Sequence, residues 1–324
     1  MRILPPVAAL LVGVSAVSAD PLPSWQETDT KTAIIDFVEA VTDPDSQDFV
    51  PRADRIAAFD NDGTLWSEQP AYFQLLYALD VLKDKAEADP DILSSDALKA
   101  ANDGDMAGLM ASGKDGLIEL LNVSHSGLSV DDFMADSRDW LLSTNHPQTG
   151  IPFAQMTYQP MVELLRYLRD EGFETYIVSG GGVHFIRAVS DDAYGIPSQN
   201  VVGSEGTTVY DVVEGKGTLM KQGGVFFIDD KAGKPVGIDR YIGKRPVLAV
   251  GNSDGDFAML EYATQGDGLR MGVLIHHTDA EREFAYDREG HIGVLDQGLD
   301  EAVDRGWLVV DMAKDWSRVW TGQQ

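Results

Sequence analysis

The chain contains no cysteine. That excludes disulfide cross-links, thiolate metal sites, iron–sulfur clusters and a cysteine nucleophile. Basic residues are scarce: 25 Lys and Arg stand against 53 Asp and Glu in 324 residues, a formal net charge of −28. So acidic a chain argues against nucleic acid as a partner, because phosphate backbones demand basic patches. It argues equally against an anionic membrane surface. Glycine (32) and proline (14) are too few for a collagen-like or low-complexity chain, and 44% hydrophobic residues support a sizeable packed core. The acid is spread along the chain rather than gathered in a tail, the pattern of a solubility-promoting surface.

Long apolar runs are also missing. Beyond the first twenty residues none is long enough to span a bilayer. The start differs: Met1-Arg2 is a minimal basic segment, 7–17 is apolar and small, and Val17-Ser18-Ala19 offers small residues for cleavage. Residues 1–19 read as a signal peptide, with Asp20-Pro21 opening the mature chain. The expectation is an exported protein, periplasmic or secreted, without a stable membrane anchor. Loss of Arg2 takes the mature charge to −28 − 1 = −29.

What is present is an alternation. Residues 28–42 carry apolar positions at helical spacing, and RIAAF (55–59) is a buried strand ending in Asp-Asn-Asp-Gly. From about 70 to 150 strand signals vanish and helical runs appear at 72–82, 116–121 and 131–142. The alternation then resumes: a helix over 160–170, a strand over 175–178 followed by Ser-Gly-Gly-Gly, and a helix over 183–194. Strands and turns follow over 201–220, then a short helix over 235–242 and a strand over 247–250 ending in Gly-Asn. A helix opens over 257–262, and the last strand runs over 271–275. Such an order predicts an α/β fold, a doubly wound, mostly parallel, Rossmann-like sheet covered on both faces. The core takes residues 20–69 and 156–324, and an all-helical cap takes 70–155. Ligand sites of such sheets lie beyond the carboxyl ends of the strands. Three of those ends carry the most unusual residues of the chain.

The first is FDNDGTLW (59–66). Asp60 and Asp62 lie two apart and project to one side if the extended course continues. A calcium loop is not met, for want of a Glu at the twelfth position. The second is IVSGGG (177–182). There Ser179 and the N–H groups of Gly180 and Gly181, at a helix start, suit an anion. The third is AVGNSDGDFAML (249–260), which delivers Asn252, Asp254 and Asp256 before a helix. Oxygen-only ligands of this kind suit magnesium. Between the last two lies DDKAGKPVGIDRYIG (229–243). Lys234, followed by Pro235 at a helix start, is the favoured charge-balancing lysine, and Lys231 is held in reserve.

This ordered set, FDNDGTL, VSGG, a lysine helix and VGNSDGDFAML, resembles the haloacid dehalogenase superfamily of phosphohydrolases over residues 50–275. PMVELLRYLRDEGFETYIVSGGG and the helical insertion resemble its phosphoserine-phosphatase-like branch. The resemblance implies Asp60 as a nucleophile forming an aspartyl-phosphate, and Asp62 as general acid and then base. Ser179 and the glycine N–H groups would hold phosphoryl oxygens, and the motif lysine would steady the charge. Magnesium would be bound by Asp60, the Asp62 carbonyl and the last acidic motif. Superfamily dehalogenases lack an Asp at the position of Asp62, so its presence favours phosphoryl transfer. One departure is Asn252, where the family pattern has an acidic metal ligand. Asn252 and Asp256 are therefore expected at the metal, with Asp254 as a candidate. Glu68, Gln69 and Tyr72 fall where related enzymes touch the non-phosphate part of the substrate.

The expected activity is Mg2+-dependent hydrolysis of small phosphate monoesters, the partner being a small phosphorylated metabolite. Transfer to another alcohol, as in a phosphotransferase or mutase, and a non-catalytic phosphate- or metal-binding protein are the rivals. Oligomeric state is not readable from the sequence.

Overall fold

The computed structural model describes residues 19–322. The signal-peptide reading of residues 1–19 falls, but for Ala19, outside them. Among the described residues no helix is long and apolar enough to cross a membrane.

In chain order, α1 (Asp29–Thr42) precedes β1 (Ile56–Phe59). Five helices follow: α2 (Phe73–Ala88), α3 (Asp96–Asp103), α4 (Met106–Ala111), α5 (Gly113–His125) and α6 (Val130–Ser143). Then come α7 (Gln159–Asp170), β2 (Glu174–Gly182), α8 (Val183–Arg187), α9 (Ser190–Tyr194), β3 (Val201–Val213) and β4 (Lys216–Phe227). The chain closes with α10 (Gly233–Gly237), β5 (Leu248–Gly251), α11 (Phe257–Thr264), β6 (Met271–His276), α12 (Gln297–Arg305), β7 (Leu308–Asp311) and α13 (Met312–Asp315).

The seven strands form one sheet in the order β4-β3-β2-β1-β5-β6-β7. Every pairing is parallel except β3 with β4. Side chains alternate between its two faces, as the two-residue period of a strand requires. Ala57, Phe59, Ile177 and Val250 enter one buried cluster with α1 and α7, whereas Ala58, Val178, Ala249 and Leu274 enter another with α11 and α12. Helix α7 shows why the sequence folds so: Met161, Leu164, Leu165 and Leu168 recur at helical spacing, and all four are buried.

The chain runs from β1 to β2 on one side and later lays β5 on the other. That makes the carboxyl end of β1 a switch point, where the two crossovers part and leave a crevice. Helices α2 to α5 stand over this crevice around a small core of their own, including Leu82, Leu98, Leu109 and Leu120. Aromatic contacts fasten that layer to the sheet: Tyr77 of α2 lies 5.5 Å from Phe185 of α8 and 5.9 Å from Phe133 of α6, centroid to centroid.

Two stretches depart from the sequence-based expectation: β7 lies beyond 271–275, where the last strand was expected, and 183–194 breaks in two. The strands and turns expected over 201–220 form as β3 and β4, one long hairpin that runs on to Phe227, continues the sheet and leans on the helical layer. Ser129 pairs with Met220, and Lys221 N–H donates to Leu128 O. Residues 183–194 form two short helices, α8 and α9, rather than one.

Candidate active site

Asp60 stands one residue beyond β1, and its N–H donates to Val250 O (2.9 Å). The chain then folds sharply. Asn61 O accepts N–H bonds from Thr64, Leu65 and Trp66, while Gly63 takes φ 73°. A side chain at Gly63 is excluded twice, by that left-handed backbone and by space. A Cβ there would lie 2.1 Å from Asn252 Nδ2 and 2.4 Å from Glu68 Oε1. The turn aims Asp62 back towards Asp60's side, and Trp66 Nε1–H donates to Asp62 Oδ1 (2.8 Å).

Lys234 is the lysine that reaches this point, at only 2% exposure. Its Nζ donates to Asp60 Oδ1 (2.7 Å), Asp256 Oδ1 (2.6 Å) and Val178 O (3.0 Å). Those three acceptors satisfy all three protons of the ammonium. Lys231 sits on the preceding loop at φ 52°, exposed and outside the crevice. The reserve choice is thereby corrected: the first turn of α10 points Lys234 inward, while the loop leaves Lys231 in water.

The acidic motif divides three ways. Asp256 is fully buried. Beyond Lys234, it accepts N–H bonds from Asn252 (3.0 Å) and Ser253 (3.1 Å), so its lone pairs are engaged within the protein. Asp254 turns away and accepts the N–H groups of Asp296, Gln297 and Gly298 at the start of α12. The expectation of Asp254 at a metal is corrected, because its carboxylate serves a helix N-terminus. Asn252 remains. Its Oδ1 accepts from Thr64 (3.1 Å), and its Nδ2 donates to Glu68 Oε1 (2.7 Å).

Ser179 is buried at the end of β2. The glycines after it were expected at a helix start, but β2 runs on to Gly182 and α8 begins only at Val183. The N–H of Gly181 is engaged by Ser179 Oγ (3.1 Å) and that of Gly182 by Gln74 Oε1 of α2 (2.7 Å). Gly180 lines the cavity.

That cavity, of about 330 Å³, is walled by Asp60, Asp62, Glu68, Ser179, Lys234 and Asp256 from the core, and by Tyr72, Gln74, Leu117 and Leu121 from α5 and the start of α2. Burial and the Asp256 carboxylate push the Asp60 carboxyl above its ordinary range, against the pull of Lys234. Loss of solvent pushes Asp62 up to about 6, opposed by the Trp66 hydrogen bond and Lys234. Burial raises Glu68 well above the usual carboxylate range. Burial pulls Lys234 down, but the Asp256 and Asp60 carboxylates more than offset it and leave the ammonium protonated.

Asp60, Glu68 and Asp256 are buried and Asp62 half-buried, all around one ammonium. Negative charge out of water and in excess demands protons or a cation. The oxygen donors facing that space fit a hard divalent cation. Among the described residues, however, no three His, Cys, Asp or Glu side chains converge as ligands. The fit is therefore to an ion that keeps much of its own water, as magnesium does.

Sequence reasoning missed the shell behind these groups. Tyr286 OH donates to Glu68 Oε1 (2.8 Å), and the His277 ring contacts Gly63 O (2.8 Å) and Glu283 Oε2 (3.2 Å). His277 follows the end of β6 and belongs to no motif. Tyr286 and Glu283 lie in a loop after β6 that carries no motif. Trp66 had a usable signal, four residues after Asp62 across a glycine turn.

Among solved structures the chain is similar to a conserved, functionally unknown protein from Anaerococcus prevotii DSM 20548, at 16% identity over 77% of this chain and 86% of that one, with a TM-score of 0.52. It is also similar to a protein of unknown function from Bordetella pertussis Tohama I, at 16% identity over 80% and 98%, with a TM-score of 0.51. Both likenesses speak to fold alone. No curated protein matches the sequence. The model for haloacid dehalogenase-like hydrolases matches residues 57–261, more than half of the chain. The match spans β1 to α11, and so takes in Asp60, Ser179, Lys234 and Asp256, which line one cavity over the sheet. The chain belongs to the haloacid dehalogenase-like hydrolases.

Proposed function

We propose that the protein is an exported, magnesium-dependent phosphatase of small phosphate monoesters. The observation that carries this reading is the pair Asp60 and Asp62 on one cavity wall, with the Lys234 ammonium 2.7 Å from Asp60 Oδ1.

An Asp60 oxygen attacks phosphorus in line, forming the aspartyl-phosphate as the ester P–O bond breaks. Asp62, protonated, gives its proton to the departing alcohol oxygen. Its carboxylate then takes a proton from water, which attacks phosphorus and releases Asp60 and inorganic phosphate. Lys234 keeps the nucleophile from repelling the phosphoryl group, and the Ser179 hydroxyl with the Gly180 N–H receives phosphoryl oxygens. Magnesium would be held by the Asp60 carboxylate, the Asp62 backbone carbonyl and the Asn252 side-chain oxygen, and supplies further charge neutralisation there. Glu68 accepts a hydrogen bond from the Asn252 amide and so orients that side chain.

The test is hydrolysis of 4-nitrophenyl phosphate by residues 20–324, with magnesium and with chelator. Wild type is expected to turn over only with the metal. Asp60→Asn is expected to abolish turnover while far-ultraviolet circular dichroism stays native. Near-wild-type hydrolysis by that variant sinks the mechanism. Asn252 in place of a carboxylate supports a second reading, a non-catalytic phosphate- or metal-binding protein. Phosphate binding without turnover of any ester would select it. Added acceptor alcohols separate hydrolysis from transfer.

A further inference from the structure

Beside the catalytic cavity lies a second chamber of about 270 Å³. The two share Gln74, Leu117, Leu121, Gly180 and Ile228, so they are neighbouring rooms with a common, largely apolar border. The second room is enclosed by α5, by the start of α8 and by the β3–β4 hairpin.

Its lining carries two lysines in a chain that is otherwise strongly acidic, while burial pulls His184 down to about 4 and His125 to about 3, so both rings stay neutral. Lys221, His184 and His125 face it, with Lys114 at its exposed rim. Lys221 is only 8% exposed. Its Nζ lies 4.2 Å from the Phe133 ring centroid and 3.3 Å from His184 Nδ1. Among the described residues no carboxylate pairs with it, and burial alone draws its ammonium down, to about 8. Glu205, an acid of the same lining, receives the Tyr241 hydroxyl.

A cation withdrawn from water without a counter-charge is costly, and a structure that keeps one beside a cavity has a vacancy for an anion. The backbone holds it there on both sides. Lys221 pairs with Thr208 in the hairpin, and its peptide exchanges hydrogen bonds with Gly127 and Leu128 of the helical layer.

We infer that this chamber receives an anionic group at the far end of the substrate's alcohol portion. The substrate class, resting on the phosphatase reading, is a phosphomonoester bearing a second anion, carboxylate or phosphate. An apolar stretch along Leu117, Leu121 and Ile228 joins the two ends.

The test compares three ester series of increasing chain length: n-alkyl phosphates, ω-carboxyalkyl phosphates and alkanediol bisphosphates. Wild type is expected to show a kcat/KM at least about tenfold higher for one or both anionic series than for alkyl phosphates of equal length, the scale of one charge-assisted hydrogen bond. Which series wins identifies the anion. Equal rates for all three overturn the inference. Lys221→Met is expected to lower the ratio of anionic to alkyl kcat/KM about ten- to a hundredfold, and Lys221→Arg to retain it. An unchanged ratio in a folded Lys221→Met protein also overturns it. Should wild type hydrolyse none of the esters, the catalytic reading fails separately. Calorimetric titration of the same pairs into Asp60→Asn protein then decides the chamber: tighter binding of the anionic member upholds it, and equal affinities reject it.

Discussion

Asp62 carries the most informative single charge. Its carboxyl is raised from an ordinary 3.8 to about 6, chiefly by desolvation. The form that donates a proton to the leaving oxygen therefore persists to about pH 6 and is lost as pH rises through that value. A 4-nitrophenolate leaves unaided, whereas an alkoxide does not. The ratio of kcat/KM for an alkyl phosphate to that for 4-nitrophenyl phosphate is expected to fall about tenfold per pH unit above about 6. Taking the ratio cancels the ionisation of the phosphate and of Asp60. Asp62→Asn is expected to cost the alkyl ester about 10²- to 10⁴-fold and the nitrophenyl ester much less. Equal losses would show that Asp62 is not the proton donor. At this scale the sequence was informative wherever a strand end dictated position, as for Asp60, Ser179 and Asn252. It did not decide between Lys231 and Lys234, because nothing local tells which of two nearby loop residues turns inward. It also misassigned Asp254, whose partners are N–H groups more than 40 residues further along the chain.

Among the elements, β1 and β5 were readable because each is a short, wholly apolar run between turn signals, IAAF and LAVG, whereas the edge strand β7 was not read. The helical layer was readable only in part. Helices α3 and α4 lie in a stretch rich in Ser, Asp and Gly, and the signals that define them are their caps. Ser95 accepts from Leu98 N–H and Asp105 from Gly108 N–H. The hairpin was underestimated because KGTLMKQGGVFF does not alternate cleanly, and its partners come from distant α5 and α6 rather than from its own pattern. The layer over the crevice has its own small core, so it is open to separate attack. Leu120→Ala removes a fully buried side chain from it and is expected to cost about 2–5 kcal/mol. Denaturant titration should show that loss, and KM should rise more than kcat falls, since the catalytic carboxylates hang on the sheet. A fall in kcat alone would contradict this division of labour.

The molecule as a whole carries its −28 mostly on its surface, where like charges repel one another. Added salt screens that repulsion, the Debye length shrinking to about 8 Å near physiological ionic strength. Tm is expected to rise with sodium chloride from low salt to about 0.15 M, and kcat/KM for phosphate esters to rise with it, because an anionic substrate approaches a molecule of its own sign. A Tm and kcat/KM indifferent to salt would show that the charges are already compensated locally. The α/β class and the site's location could be read at this scale from alternation alone. The meeting of the hairpin with the helical layer could not, because no local pattern encodes a contact between segments about a hundred residues apart.

Strand β3 belongs to two places at once. Its first residues, from Val201, pair with β2 inside the sheet, and its later ones carry β4 and Lys221 out beside the second chamber. The span from Asp60 to Lys221 is thereby built into one continuous hydrogen-bonded frame rather than across a joint. Such a frame works as a fixed caliper: molecules too short to touch both jaws, or too long to fit between them, are turned away by their reach before their chemistry is tried.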